Sequence, residues 1–423
     1  MGKDSGHVKH KILSLKEQHE IMDIRLKYRL NHILSELMKR EGMDMWVILA
    51  REYNEDPIFF TLIPSMIETA SRLSCFIFYL GTDGQLETLS LCRANEHLTK
   101  FYKQVWDGKS ETQWECIKRI VEERKPNRIG INISNKIALA DGLTKGLHDN
   151  IINILGEEYS KGLVSAENLC VGWLERRSLL ELDMYPHIYK VACDIIDEAF
   201  SNKVIKPGVT TTEDVKWWIM EKIKDLGLEF WFTPTIDLQR EGVEDKRIIN
   251  TVILQGDILH CDVGITYMGL CTDTQRIAYV LKPEETDVPI GLKAALKVCN
   301  QFQDIVTENF VSGCTGNEII DVSLAEAKVQ NIKAMLYTHP IGYHGHGAGP
   351  IIGLWDNQGR VPGRGDYPIY FDTCYALELN TTSSIPEWGN QEVCIFLEET
   401  VAFTKEGVNY MKGRQMEFIT IKG

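Results

Sequence analysis

Apolar positions recur at helical spacing between residues 14 and 42, at Ile24, Leu26, Tyr28, Leu30, Ile33, Leu34, Leu37 and Met38, and the run stops at the breaker Gly42. The period predicts a long amphipathic helix. The pattern then changes to short apolar runs, Met45 to Ala50, Leu73 to Leu80 and Leu86 to Leu91, the last two separated by the turn Gly81-Thr-Asp-Gly84. These predict strands. Trp114 to Glu123 reads as helix, Arg128 to Ile133 as strand, Lys136 to Gly146 as helix and Leu169 to Val171 as strand. Such alternation predicts an α/β domain. A boundary near Gly172 divides the chain into residues 14–172 and 173–423. The second part opens with helices over Leu179 to Ala199, despite Pro186, and over Glu213 to Leu226 after the turn Lys206-Pro-Gly-Val-Thr. Strands joined by Gly- and Pro-containing loops follow, with one helix pair between Val288 and Gln330.

Composition narrows the class. The 423 residues are 44% apolar and 25% charged, an ordinary globular balance with room for two cores. Lys plus Arg number 46 against 60 for Asp plus Glu, a net charge of −14. That balance disfavours nucleic acid and anionic membrane surfaces as partners. No apolar run approaches the ~18 residues of a spanning helix, and the opening residues lack an apolar block before a cleavage site. The chain as given therefore reads as soluble and cytoplasmic, although a removed secretion signal would leave no trace. Eleven cysteines form no CxxC pair, and Cys75, Cys261, Cys374 and Cys394 lie in strand-like apolar runs, the setting of buried reduced thiols.

Four carboxylates break strand-like runs. Gln255-Gly-Asp-Ile-Leu-His-Cys-Asp262 and the run through Asp273-Thr-Gln-Arg276 flank a turn at Tyr267-Met268-Gly269 and read as a hairpin. With Tyr267 and Met268 as its loop, Asp262 stands directly across from Asp273 on one face. A one-residue slip would separate them. Glu378 interrupts Tyr375-Ala-Leu-Glu378-Leu-Asn380, and Glu398 interrupts Val393-Cys-Ile-Phe-Leu-Glu398-Glu399. A charged carboxylate inside such a run must be protonated, paired or bound to metal. Four converging on two divalent ions would be neutral, and hard oxygen ligands suit Mn, Fe, Co or Zn at a hydrolytic site.

With these four acids in this order, the chain resembles the pita-bread metallopeptidases, namely methionine aminopeptidase, aminopeptidase P and prolidase, with creatinase as a metal-free relative. The resemblance implies a creatinase/prolidase-like α/β N-terminal domain, residues 14–172, and an α+β pita-bread catalytic domain, residues 173–423. Residues Arg29-Leu-Asn-His-Ile-Leu-Ser-Glu-Leu and Gly42-Met-Asp-Met-Trp-Val carry the first part of the likeness. The family's metal ligands fall on Asp262, Asp273, Glu378 and Glu398, and its Asp-x-x-Arg continuation matches Asp273-Thr-Gln-Arg276. A homodimer is also implied.

The fifth ligand of the family is a His in a Gly-rich segment, here His339-Pro-Ile-Gly-Tyr-His344-Gly-His346-Gly-Ala-Gly-Pro350. In the prolidase register (His-Gly-x-Gly-His-x-x-Gly, then a His seven later), Pro350 takes the ligand place and Asn357 the later one. In the methionine aminopeptidase register the ligand is His346 itself. Both stay open, so one firmly held ion is expected and a second only if His346 or a neighbour reaches in. His260, two residues before Asp262, shares its strand face. The family's substrate His before the first Asp is missing, which leaves Trp231, Asp237 and Arg240 to shape that pocket.

The function expected is metal-dependent hydrolysis at the N-terminus of a peptide, like an Xaa-Pro aminopeptidase or dipeptidase. Divalent Mn, Co or Zn would be the cofactor, Glu378 a ligand and base, and His344 or His346 a proton donor or oxyanion partner. The alternative is a degenerate or creatinase-like pita-bread protein that binds a peptide or small molecule.

Overall fold

Ser14 and Glu17 cap the first helix reciprocally, Ser14 Oγ accepting from the Glu17 N–H and Glu17 Oε2 accepting from the Ser14 N–H. This helix, Leu15–Tyr28, runs through a wide turn at Arg29–Ile33 into Leu34–Glu41, and Gly42 ends it in the left-handed conformation. The computed structural model describes residues 12–423, so the first eleven residues of the opening considered for a leader lie outside the described ones. It divides into two units, Leu13–Ser178 and Leu179–Gly423. The boundary expected near Gly172 falls inside the helix Glu167–Glu175, whose Trp173 and Leu174 are buried. No helix among the described residues is long and apolar enough to cross a membrane.

The N-terminal unit is α/β. Met45–Arg51 lies in a six-stranded sheet, paired antiparallel with Leu73–Leu80 and parallel with Ile129–Ile131. Val47, Leu49, Cys75 and Ile77 from these strands pack with Ile117, Ile120 and Ile151 from the helices Gln113–Arg124 and Lys145–Ser160. Two local expectations are corrected. Residues 136–146 do not form a helix: a single tight turn, Ala138–Ala140, is followed by Gly142, and the helix starts only at Lys145. Gly142 presses on Asp56, whose carboxylate accepts from the Ile58 N–H and Asn132 Nδ2. The run Leu169 to Val171 is helical, because it belongs to the apolar face of Glu167–Glu175.

The C-terminal unit is built on a nine-stranded, mainly antiparallel sheet with helices against it. Thr373–Ile385 and Gln391–Thr404 form its long central hairpin, in full register through Glu378 opposite Glu398. Tyr375, Leu377 and Leu379 on one strand, with Val393, Ile395 and Leu397 on the other, join Leu292, Leu296 and Phe302 of the helix Ile290–Glu308 in the core. Strand side chains alternate, so Glu378, Asn380, Cys394, Phe396 and Glu398 are delivered to the opposite face.

Gly142→Ala tests the packing of the N-terminal unit. An added Cβ would lie 2.2 Å from Asp56 Cγ, so the substitution should cost about 2 kcal/mol as an overpacked, hydrogen-bonded site. Urea unfolding followed by tryptophan fluorescence measures it, and an unchanged midpoint would show that Asp56 yields freely.

Candidate metal centre

The first two acids are placed by a hairpin with a different loop from the one expected. Tyr267 pairs with Leu270, and the loop is Met268-Gly269, both at positive φ (51° and 68°), as a type I′ turn requires. Gly269 accepts that conformation without penalty and so sets the register. Asp262 therefore faces Gln275, not Asp273. The shift is two residues, which keeps the same face. Asp273 sits just ahead of the strand Thr274–Val280 as the diagonal neighbour, within reach of the same centre.

Asp262, Glu378 and Glu398 offer oxygen atoms within 4.8 Å of one another, and Asp273, Glu398 and His339 form a second such group. His339 Nε2 lies 3.6 Å from Asp273 Oδ2, 3.7 Å from Glu398 Oε1 and 4.0 Å from Glu378 Oε2. The imidazole in the cluster is thus neither His346 nor a residue near Pro350. The strand His339–Pro340 pairs with Tyr375 and Ala376, which brings His339 to the side of the sheet that carries Glu378. His346 stands behind it, its ring edge-on to His339 at 4.7 Å and to Trp231 at 5.1 Å. The signal was present: His339, Gly342 and His346 also satisfy a His, a Gly three places on and a second His seven later.

The donors fit a cation. Asp262 Oδ1, Asp273 Oδ1 and both carboxylate oxygens of Glu398 are buried and accept no hydrogen bond. Glu378 and Glu398 are direct cross-strand partners, an arrangement that repels when both are charged. Burial pushes the Asp273 carboxyl up to about 7. Burial, then neighbouring carboxylate charge, raises Asp262, Glu378 and Glu398 well above the ordinary range. Divalent ions remove both penalties, and hard oxygens with one imidazole are a suitable donor set.

A cavity of about 800 Å³ opens above the cluster, lined by Asp262, Glu378, His339, His346, Arg247 and Trp355 among others. Its supports are polar. Gln275 Nε2 donates to Glu378 Oε1 at 2.5 Å, while Gln275 Oε1 meets His260 Nε2 at 3.0 Å and His260 Nδ1 meets Asp237 Oδ2 at 3.1 Å. Behind the sheet, Glu399 accepts from Arg276, Tyr189 and the Gln415 N–H. This assigns opposite tasks to the two adjacent glutamates and explains the Arg of the Asp-x-x-Arg run.

Three expected pocket residues lie elsewhere. Arg240 is held by Asp257 through two hydrogen bonds and does not line the cavity. Trp231 donates to Thr272 O and fills the spaces left by Gly264 and Gly345, so it braces the segment before Asp273. His344 is also absent from the lining, and Asn357 closes a tight turn with Leu354. Arg247, overlooked in the sequence, projects where Arg240 was expected; nothing in its surroundings on the chain distinguishes it.

Residues 187–405, just over half of the chain, match the model of metallopeptidase family M24. Similar solved structures include an X-Pro aminopeptidase from Thermotoga maritima MSB8, 14% identical with a TM-score of 0.64, over 92% of this chain and 100% of that one. An Xaa-Pro dipeptidase from Bacillus anthracis is 15% identical with a TM-score of 0.54, over 96% and 99% of the two chains. A prolidase from Pyrococcus furiosus is 15% identical with a TM-score of 0.54, over 90% and 99%. At such identities the likeness concerns the fold. Among curated proteins none matches this chain. The chain belongs to metallopeptidase family M24 and has its pita-bread fold.

The cluster predicts a pH dependence. The Asp273 carboxyl titrates at about 7 in the folded protein and at about 3.9 when unfolded. Between these values the folded state holds the extra proton, so stability falls as pH rises. In chelator, the melting temperature should decline from pH 5 to pH 8. Asp273→Asn should flatten the decline and raise the pH 8 midpoint by about 3 °C, whereas added Mn should favour the parent. A parent whose metal-free stability rises across this range would contradict the assignment.

Proposed function

We propose that this chain hydrolyses the bond after the N-terminal residue of short peptides, with proline following that bond, as an Xaa-Pro aminopeptidase or dipeptidase. The observation that supports the reading is the five-residue set Asp262, Asp273, His339, Glu378 and Glu398 at the floor of a peptide-sized cavity. The names of the similar solved structures point the same way. The degenerate or creatinase-like alternative drew on Pro350 and Asn357 in ligand places and on the missing substrate His; His339 beside the four acids supports the peptidase reading against the first of these grounds. The same residue supports a second ion.

Divalent ions such as Mn, Co or Zn would supply Lewis acidity at the scissile carbonyl and at the attacking water. Glu378 is placed to take the proton of that water, since it is partly open to the cavity and Gln275 fixes its other oxygen. His346 lines the cavity, and its pKa is pushed down by desolvation, then by His339 and Arg364. It therefore acts as a neutral imidazole, donating a hydrogen bond to the oxyanion or the departing amine. His344, off the cavity wall, is not used.

Hydrolysis of Xaa-Pro dipeptides and tripeptides with Mn, Co or Zn tests the proposal. Asp273→Asn should lower turnover by at least about 10³-fold through loss of the ions. His346→Ala should keep the parent's metal content by elemental analysis and lose about 10²-fold in kcat. His339→Ala should lose metal. Equal turnover by Asp273→Asn and the parent would refute metal catalysis.

A further inference from the structure

His260 lies on the strand Ile258–Val263 with Asp262, yet it belongs to neither of the two groups of candidate metal donors. It is 2% exposed, and both of its ring nitrogens are engaged: Nδ1 meets Asp237 Oδ2 at 3.1 Å and Nε2 meets Gln275 Oε1 at 3.0 Å. Asp237 is its direct cross-strand partner and is buried too. The same Asp237 oxygen accepts from Arg247 Nε at 2.9 Å. The Phe396 ring packs on the imidazole at 4.8 Å and carries the Arg247 guanidinium at 5.6 Å, so the histidine is held on its face as well as at both ends.

The direction of each bond follows from the chemistry of its ends. An ionised carboxylate only accepts, so Gln275 turns its Nε2 toward Glu378 Oε1, 2.5 Å away. Its Oε1 is then aimed at His260, and an amide oxygen also only accepts. Asp237, shared with Arg247, is a second acceptor on the other side of the ring. The imidazole therefore donates from both nitrogens, and it has no lone pair left for a metal. Gln275 in turn stands between two acids, with Asp262 as its partner on one neighbouring strand and Glu398 on the other. An unrestrained amide at that place could donate to any of three carboxylates. His260 holds its oxygen, which aims the nitrogen at Glu378 Oε1 and leaves Glu378 Oε2 on the side of His339, 4.0 Å from its Nε2.

Resting on the peptidase reading above, we infer that His260 is a positioning residue: anchored by Asp237 and acting through Gln275, it holds Glu378 so that Oε2 alone is turned toward the reacting water. His260 touches neither substrate nor metal in this arrangement. Its contribution is the orientation of one carboxylate, and it is made only while Gln275 is present to transmit it.

Two measurements test this. Nitrogen-15 NMR of the zinc-loaded chain without substrate reads the relay directly: both His260 ring nitrogens should be protonated, and the Gln275 side-chain amide should give a strongly shifted signal that collapses to the free position in His260→Phe. Turnover of Xaa-Pro peptides is then compared in the parent, His260→Phe, Gln275→Met and the double variant. His260→Phe should lower kcat by about 10- to 100-fold, with KM within about twofold of the parent and an unchanged metal content by elemental analysis. The double variant should be no slower than Gln275→Met, whereas two independent structural losses would multiply. His260→Gln, which keeps a donor toward Gln275, should recover part of kcat, and it takes the place of His260→Phe if that variant does not fold. Multiplied losses, an unchanged kcat, or a bare ring nitrogen in the parent overturns the proposal. A chain that cleaves no Xaa-Pro peptide refutes the peptidase reading instead, and the ring and amide signals still decide whether His260 orients Gln275.

Discussion

Mutual repulsion among carboxylates is the constraint around which the C-terminal unit is arranged. Asp262, Asp273, Glu378 and Glu398 converge on one side of a sheet where burial limits screening by water, and two of them are direct cross-strand partners. Hydrogen-bond donors would relieve the strain, yet the inner oxygens of Asp262, Asp273 and Glu398 have none. A site left in that condition is incomplete as a purely organic structure. The rest follows from the need to hold the four groups close without letting them push the strands apart: a long hairpin in full register, a helix layer behind it, and an imidazole brought in by a short strand.

The two ends of the cavity differ in character. At the floor, anionic oxygens await cations. At the wall, a cation is presented on an aromatic plate and pinned by a buried acid. Between them runs a ladder of polar side chains in which each group orients the next. Charge of alternate sign along a cavity suits a zwitterionic or otherwise polarised guest more than an apolar one.

Much of the fold was legible because local signals agree with tertiary need. The apolar period over residues 14–42, the strands at Met45 and Leu73 and the helix through Pro186 all emerge with nearly the expected limits. Residues 136–146 and 169–171 misled for a stated reason: short apolar runs carry little period, so tertiary contacts with Asp56 and burial of Trp173 decide them. At the site, the four acids could be found because charge inside a strand is costly and hence conspicuous. His339 was hidden by a competing Gly-rich segment that fits a similar spacing, and the hairpin register depended on which pair of residues could adopt positive φ. Arg247 left no mark, since an arginine in a polar loop is ordinary and only its placement over Phe396 gives it meaning.

Glu398 and Glu399 stand back to back on one strand. The acid on the rear, fully buried, is neutralised by Arg276, a cation belonging to the chain itself. The acid on the front would take its cation from outside. The strand therefore keeps one counter-charge permanently, whatever happens on the cavity side, and departure of an ion loosens the front without releasing the back. On the metal-centre reading, ion exchange would be a matter of residence time at a standing framework.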